Sequence, residues 1–151
     1  KLNGRSTFYY RNGSLKEIYH YENGDETGPY EKYYETGQLN IKTTMLKGMM
    51  NGEYKSYHSN GYLGCIHNYV NDKREGENKY YHDNGQLWTS ESWKDGRQSG
   101  LSITYWDNGT IRSKGTYKNG KREGSWTSYW KNGEISEWET GEFKNGLRIG
   151  N

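Results

Sequence analysis

Short runs of alternating polar and apolar residues fill most of this chain, and turns that contain glycine separate them. Ser6–Tyr10 (STFYY) is rich in β-branched and aromatic residues, which are typical of a pleated strand. Asn12-Gly13 then predicts a tight turn, because both residues tolerate the positive φ of hairpin turns, and Leu15–Tyr21 follows as a second strand. No segment has a sustained period of about 3.6 residues, so helix is disfavoured.

This hairpin pattern returns every 24 residues. One series of glycines opens the units, and a second series follows within each unit, usually directly after Asn. A fixed period of roughly 20–50 residues indicates a repeat architecture. The first series is Gly4, Gly28, Gly52, Gly76, Gly100 and Gly124, and the second is Gly13, Gly37, Gly61, Gly85, Gly109 and Gly133.

The repeat predicts an all-β fold, an elongated single-layer antiparallel sheet of about six consecutive β-hairpins. Residues 1–151 are expected to form a single array with units at approximately 4–27, 28–51, 52–75, 76–99, 100–123 and 124–149. Repeat arrays normally need polar caps, and neither end of the sequence has a distinct one. We therefore expect a fragment of a longer array or protein.

The last unit departs from the period. Ile135 and Phe143 are separated by eight steps, whereas Ile111 and Tyr117 are separated by six. Two extra residues keep Phe143 on its own face of the strand, whereas one would move it to the other face. The pattern predicts a bulge or a wider loop at Trp138–Gly141.

Three recurring positions indicate what each unit must bury. A tyrosine ladder, an aliphatic series and a further aromatic series are all predicted to share one face, because side chains on a strand alternate with period two. Packing is the favoured interpretation of these residues. The ladder is Tyr9, Tyr33, Tyr57, Tyr81, Tyr105 and Tyr129; the aliphatic series is Leu15, Leu39, Leu63, Leu87, Ile111 and Ile135; the third series is Tyr21, Met45, Tyr69, Trp93 and Tyr117, with Phe143 displaced.

A second aromatic set follows the ladder tyrosines by one residue and is expected on the opposite face. A single-layer sheet with aromatic residues on both sides has one face available for a partner, so this set is a candidate binding face. The alternative is that it also serves packing. Its members are Tyr10, Tyr34, His58, His82, Trp106 and Trp130, joined on that face by Tyr30, Tyr54 and Trp126.

Composition supports a folded chain with a thin core. Hydrophobic residues make up 29 % of the sequence and the mean hydropathy is −1.34, so a thick aliphatic core is not expected. Disordered chains are usually poor in aromatic residues and high in net charge, whereas this chain has 16 Tyr, 6 Trp and a net charge of only +2. Tyr and Trp bury large ring faces and keep a polar edge, so they are expected to supply the core.

The sequence predicts no enzyme, no cofactor and no metal site. It has no serine elbow, no His-Glu-x-x-His motif and no phosphate loop of the usual spacing. The one cysteine, Cys65, excludes an internal disulfide and a cysteine-based zinc site. His58 and His82 would lie roughly 10 Å apart, too far to share a zinc ion whose bonds are about 2 Å long.

Basic residues recur after the second turn of the later units and form a candidate basic edge. Such a row could contact an acidic protein or anionic lipid headgroups, and the alternative is a set of solvated turns. The small net charge disfavours a nucleic-acid partner. The residues are Lys73, Arg74, Arg97, Lys121, Arg122 and Arg148.

With these positions identified, the chain resembles MORN repeats, specifically the bacterial variant group that includes YwqK-type antitoxin proteins. The motif is Gly-x-x-x-x-Tyr-(Tyr/His/Trp)-x-Asn-Gly-x-Leu followed by aromatic-Lys-(Asp/Asn)-Gly-Lys, and it is clearest in Gly76–Gly100 and Gly100–Gly124. Thr36 before Gly37 and Asp72 at a second-turn position depart from it. The resemblance implies successive hairpins that contact proteins and, in some proposals, phospholipids.

The favoured hypothesis is a non-catalytic repeat scaffold that binds a protein partner, possibly in an antitoxin-like manner. The alternatives are a peripheral binder of anionic phospholipid that uses the basic edge, and a surface or spacer module whose aromatic residues bind glycans. Uncovered edge strands can also pair with another chain, so an edge-to-edge homodimer is a further expectation. The compartment stays open, with a secreted or cell-surface location favoured over the cytoplasm.

Overall fold

The computed structural model describes residues 1–150, in which every regular element is a β-strand and none is a helix. This confirms the predicted all-β class. Residue contacts divide the chain into two compact units, Lys1–Lys73 and Arg74–Asn151. Asn151, the last residue of the predicted array, lies outside the described residues. The six predicted repeat boundaries stay a prediction.

Unit 1 is an antiparallel sheet in which each long strand pairs with the next along the chain. The sheet order is β1-β2-β4-β5-β7-β8, and the two-residue strands β3 and β6 pair with β2 and β5. The strands are β1 (Gly4–Tyr9), β2 (Leu15–Glu22), β3 (Asp25–Glu26), β4 (Gly28–Tyr33), β5 (Leu39–Leu46), β6 (Met49–Met50), β7 (Gly52–Tyr57) and β8 (Leu63–Val70).

Unit 2 is built in the same way, with the order β10-β11-β12-β13-β14-β15-β16. The two-residue strand β9 (Lys73–Arg74) contains the last residue of unit 1 and the first of unit 2. The other strands are β10 (Gly76–Tyr81), β11 (Leu87–Lys94), β12 (Arg97–Tyr105), β13 (Ile111–Lys118), β14 (Lys121–Tyr129), β15 (Ile135–Lys144) and β16 (Leu147–Gly150).

Two kinds of turn join the strands, as the glycine spacing predicted. In the first, the Gly13 amide donates to the Tyr10 carbonyl at 3.0 Å, and Gly13 has a φ of +88°. In the second, Asn23 and Gly24 both have positive φ, +52° and +93°, which is the pattern of a type I′ hairpin turn. Asp72, which replaces the usual glycine, takes φ +64°, and its carboxylate accepts a hydrogen bond from the Met50 amide at 2.6 Å.

A bulge recurs where the first strand of a hairpin meets its turn. In β4 and β5, Lys32 pairs with Ile41 but Tyr33 pairs with Leu39, so Asn40 is left over. The extra residue interrupts the strict alternation of side chains between the two strands. Equivalent register shifts occur at Phe8/Tyr9, Ser56/Tyr57, Tyr80/Tyr81 and Thr104/Tyr105.

The last hairpin contains the larger irregularity that its spacing predicted. Trp126 pairs with Gly141 and Ser128 pairs with Ser136. One residue of β14 therefore lies opposite four residues of β15. The Thr140 hydroxyl compensates for the interrupted backbone hydrogen bonds between the two strands. It accepts a hydrogen bond from the Ser128 amide at 3.0 Å and donates one to the Ser136 carbonyl at 2.7 Å. The predicted bulge at Trp138–Gly141 is confirmed.

The core is thin. Only Ile18, Cys65 and Trp126 are buried hydrophobic residues among the described part of the chain, with Trp126 3 % exposed. More polar than apolar side chains are buried, because the sheet formed by the described residues has no second layer against which large apolar side chains could pack. The buried polar residues are Thr43, His67, Asn78, Thr89, Ser102, Ser113, Ser128 and Ser136.

Candidate binding surfaces

The side of each sheet that carries Tyr30 and Tyr54 in unit 1 and Trp126 in unit 2 is called the aromatic face here. Ring contacts show which other residues lie on it. In unit 1 the Tyr30 and Tyr19 ring centroids are 4.8 Å apart, and Tyr19 stacks on Tyr21 at 6.2 Å. In unit 2, Tyr117 meets Trp126 edge-to-face at 5.0 Å.

The tyrosine ladder therefore does not share a face with the third aromatic series, and this prediction is wrong. Tyr33 is three residues from Tyr30, so it points to the opposite side of β4, where its hydroxyl donates to Glu31 at 2.7 Å. The prediction counted an even number of residues from Tyr33 to Met45 and assumed continuous alternation. The bulge at Tyr33 breaks that alternation in the hairpin.

The aromatic residues that follow the ladder lie in the turns, where several of them hold neighbouring hairpins together. The hydroxyls of Tyr10 and Tyr34 each donate, at 2.7 Å, to the carbonyl of the ladder tyrosine in the next hairpin, Tyr33 and Tyr57. The indole of Trp106 donates to the Tyr129 carbonyl at 3.1 Å in the same way. For these residues the geometry matches the packing alternative.

The remaining turn aromatics are placed differently. The His58 ring lies beside Gly64, and His82 packs against Trp88 with ring centroids 5.8 Å apart. Trp130 is 50 % exposed. The exposed Trp130 is therefore the turn residue best suited to contact a partner.

Trp126 organises the aromatic face of unit 2. Its ring lies over Gly115, which has no side chain to obstruct it, and its Nε1 donates to the Thr116 carbonyl at 3.1 Å. The Arg122 guanidinium stacks on the Trp126 ring at 4.4 Å and on Phe143 at 5.3 Å. A cation over an aromatic ring is attracted by the negative face of the π system, so the Arg122 guanidinium packs over both rings.

Beside Trp126 runs a groove of about 290 Å³. Its walls include Tyr80 and Trp88 at one end and Tyr117 and Trp126 at the other. The hydroxyl-bearing residues of its floor are short and mostly buried, and they include Thr89, Ser102, Thr104 and Ser113. Sequence periodicity did not identify the groove, because its floor consists of positions where the repeat residue becomes small.

Unit 1 has a cavity of about 270 Å³ on its aromatic face. The cavity is lined by three tyrosines and by aliphatic and methionine side chains, with two carboxylates: Tyr19, Tyr30, Tyr54, Ile41, Thr43, Met45, Met50, Glu26 and Asp72. Burial raises the pKa of the Tyr30 phenol, and the neighbouring Tyr19 and Glu17 raise it further. The Tyr30 phenol therefore stays protonated and neutral at ordinary pH.

The six residues of the candidate basic edge have different surroundings. Lys73, Arg97 and Lys121 are exposed. The Arg74 guanidinium stacks on Trp93 at 4.8 Å and donates to the Tyr80 hydroxyl at 2.7 Å.

The remaining two basic residues are also engaged. Arg122 stacks on Trp126, as described above. Arg148 donates to the carbonyls of Glu137 and Trp138 at 3.2 and 3.3 Å. Half of the predicted row is thus held against the protein itself.

Within residues 1–150 no group of three or more His, Cys, Asp or Glu side chains is placed to hold a metal ion. The same residues contain no helix long and apolar enough to cross a membrane.

Successive antiparallel hairpins, repeated along both units, define a β-hairpin repeat protein. Four stretches of 22 residues match the model of the MORN repeat variant family, at residues 2–23, 26–47, 74–95 and 98–119. They cover more than half of the 151 residues, and the chain belongs to that family. MORN repeats are a non-enzymatic repeat type generally associated with binding to proteins or membranes. Comparison with curated proteins finds no significant match.

Proposed function

We propose that the protein is a non-catalytic repeat scaffold that binds a protein partner through the aromatic face of unit 2. The observation that carries this proposal is the groove beside Trp126, with aromatic walls and a floor of hydroxyl groups. Trp and Tyr dominate the binding energy of protein interfaces because they bury large areas with few rotatable bonds. The floor hydroxyls would hydrogen-bond the polar backbone of a bound segment.

Exposed tryptophans of unit 2 support a protein partner. Trp88, which lines the groove, is 46 % exposed, whereas Trp130 (50 %) and Trp138 (83 %) together line a second pocket of unit 2. Large apolar side chains exposed together on a folded protein often mark an interaction site. Trp138 lies on the confirmed bulge of β15, and bulges commonly redirect a side chain at functional positions.

Anionic phospholipid is the second candidate, and it is supported by the exposed Lys73, Arg97 and Lys121. Each basic residue near an anionic membrane surface contributes about 1 kcal/mol. With Arg74 and Arg122 stacked on rings, fewer charges are available to lipid than the sequence suggested. The protein partner is therefore favoured.

An antitoxin-like role, as in the YwqK-type proteins that the motif resembles, is one specific form of protein binding. In that case the partner is a toxin whose growth inhibition this chain relieves. Pairing of two copies through sheet edges is a separate proposal, and the mass of the free protein in solution tests it.

The experiment compares the wild-type protein with a Trp88→Ala/Trp130→Ala variant, each immobilised and exposed to lysate of the source cells at low and high salt. Both replaced side chains are about half exposed, so we expect the variant to fold. We expect one protein to be retained by the wild type through high salt and lost with the variant. The purified partner should then change the tryptophan fluorescence, since every Trp lies in unit 2.

A matched variant, Lys73→Ala/Lys121→Ala, distinguishes the lipid candidate. If vesicles containing phosphatidylserine bind the wild type and this variant loses that binding, while no protein depends on Trp88 and Trp130, the phospholipid function replaces the proposed one. A glycan that quenches tryptophan fluorescence would likewise replace it.

A further inference from the structure

The cavity of unit 1 contains a hydrogen-bonding group that nothing in the unit satisfies. The Oγ1 atom of Thr43 is buried and has no hydrogen-bond partner among the described residues, and the residue is 4 % exposed. A buried polar atom without a partner costs about 1–3 kcal/mol. Because Thr43 lines the cavity, a ligand with an N–H donor would satisfy this hydroxyl.

Aromatic rings form the walls around Thr43. Thr43 and Tyr30 are direct cross-strand partners, the Tyr30 ring packs on Tyr19 at 4.8 Å, and Tyr54 lines the same cavity. Neutral tyrosine rings present electron-rich faces, which attract cations and stack with planar guanidinium groups.

The charged groups that line the cavity are both acidic. They are Glu26 and Asp72, and no Lys or Arg is among the lining residues. Asp72 uses one oxygen to accept the Met50 amide, which leaves its other oxygen for a ligand. The Tyr21 hydroxyl is 3.5 Å from one Glu26 oxygen. The surroundings favour a cation and disfavour an anion.

In unit 2, arginines occupy repeat positions that correspond to Met50 of the unit 1 cavity. Arg74 and Arg122 follow Met50 at one and three repeat periods of 24 residues. Arg74 stacks on Trp93 and Arg122 on Trp126. The aromatic face of unit 2 thus holds guanidinium groups of its own chain, whereas unit 1 has Glu26 and Met50 at those positions and leaves the cavity without one.

We propose that the unit 1 cavity binds the guanidinium group of an arginine side chain from a protein partner. The guanidinium would lie against the tyrosine rings, donate to the Thr43 hydroxyl and pair with Glu26 and Asp72. The proposal rests on the proposed function for the source of the arginine. The binding site itself can be tested without the partner.

The experiment uses the full chain with ¹³C-methyl methionine and a short capped peptide that has one arginine between glycines. Met45 and Met50 line the cavity, whereas Met49 does not, so the Met49 methyl signal is an internal reference. We expect saturable shifts of the Met45 and Met50 signals and unchanged tryptophan fluorescence. A citrulline peptide, which has the same shape without the charge, should bind about tenfold more weakly.

Two variants separate binding from folding. Thr43→Val keeps the volume, removes the hydroxyl and should weaken arginine binding severalfold. Met50→Arg places the guanidinium of unit 2 into unit 1 and should abolish peptide binding while the methyl spectrum stays dispersed. Glu22→Gln, an exposed residue outside the cavity, is the control and should bind normally.

The proposal is overturned if the arginine and citrulline peptides shift the methionine signals equally, or if neither shifts them. It is also overturned if Met50→Arg binds as the wild type does. None of these results bears on the groove of unit 2. Conversely, loss of the partner in the Trp88→Ala/Trp130→Ala comparison leaves the peptide titration of unit 1 unchanged.

Discussion

Units 1 and 2 build the same hairpins from different aromatic residues. Every one of the 6 Trp lies in unit 2, whereas most of the 16 Tyr lie in unit 1. Unit 2 combines its tryptophans with Arg74 and Arg122 stacked on rings, and unit 1 combines its tyrosines with Glu26 and Met50 around a cavity. One repeat backbone thus supports a face whose rings stack with arginines of the same chain and a face whose cavity is lined by tyrosines and carboxylates, without an arginine among its described lining residues.

The difference has a physical basis in the size of the side chains. The Trp126 ring covers Gly115 and reaches both Tyr117 and Arg122. At an equivalent position of unit 1, Tyr54 meets Tyr69 at 5.9 Å and the ring of His67 at 5.6 Å, and none of the described residues that line the cavity around it is an arginine. In unit 2 the larger indole covers Gly115 and the groove runs beside it, whereas in unit 1 the cavity lies among the smaller phenol rings themselves.

The largest expected effect comes from removing the central indole of unit 2. Trp126→Ala should lower the free energy of unfolding by about 3–5 kcal/mol, as for other large buried aromatic residues. Urea unfolding followed by the remaining tryptophans measures it. The matched change in unit 1, Tyr54→Ala, should cost less because Tyr54 is only half-buried. Equal losses would contradict the view that the central aromatic residues of the two units are buried to different degrees.

Gly115 tests whether the close approach of the indole requires glycine. A methyl group there would overlap the Trp126 ring, so Gly115→Ala should destabilise unit 2 by about 1–3 kcal/mol through overpacking. In the control Gly64→Ala, the new methyl would meet the Ser56 hydroxyl at 3.1 Å, which can rotate away. Chemical denaturation of both variants at equal protein concentration gives the comparison. A tolerated Gly115→Ala would mean that the ring can move aside.

Arg122→Met introduces into unit 2 the residue that unit 1 has at this position. Loss of the stacked guanidinium should cost about 0.5–2 kcal/mol, the range of cation–π interactions. Arg97→Met, an exposed residue at the start of β12, should change the unfolding free energy by less than about 0.5 kcal/mol. The same unfolding titration applies to both variants. Equal changes in the free energy of unfolding would contradict the expectation that the stacked arginine is more stabilising than the exposed one.

The smallest effect concerns pH. A hydrogen bond from Tyr33 and the nearby Lys42 hold the pKa of Glu31 below its ordinary value of 4.5. A depressed folded pKa contributes stability above the unfolded pKa, and this contribution is lost as the pH falls through the folded value. Glu31→Gln should therefore remove about 0.2–1 kcal/mol at pH 7 and progressively less as the pH falls toward 2.

A carboxylate of unit 2 with a lowered pKa is Glu77, which accepts hydrogen bonds from Lys79 and Ser90. Its side chain is 57 % exposed, so solvent screening should make Glu77→Gln the weaker change. Thermal unfolding of both variants at pH 7 and pH 2 is the measurement. A Glu31→Gln variant that is destabilised equally at pH 7 and pH 2 would show that the substitution acts through packing rather than charge.

Much of the fold was predictable because it depends on local chemistry. Asn23-Gly24 requires a backbone that few other residue pairs adopt, so the turn and the strands on either side follow from the sequence. The two extra residues between Ile135 and Phe143 likewise predicted the bulge. Side-chain faces were less predictable, because one bulge residue such as Asn40 reverses the side on which later residues point relative to Tyr33.

The candidate sites were only partly predictable. Trp130 stands out in the sequence and is exposed in the structure, but Tyr10 and Trp106 proved to bond the next hairpin. Thr43 gave no signal, since threonines are common in strands and the Thr43-Thr44 pair has no distinguishing pattern. Its importance depends on burial without a partner, which is a property of its surroundings.

The sequence by itself determined that the chain forms successive hairpins and where their turns lie, because glycine spacing and side-chain alternation act over a few residues. Only the tertiary structure decided which aromatic residues meet, which arginines stack and where space remains. These depend on ring size and on bulges between strands. Residues at equivalent positions therefore have different roles: Met50 lines a cavity, whereas Arg122 stacks on a ring. The repeat determines the order of strands and turns, and packing across neighbouring strands determines which groups each face presents to a ligand.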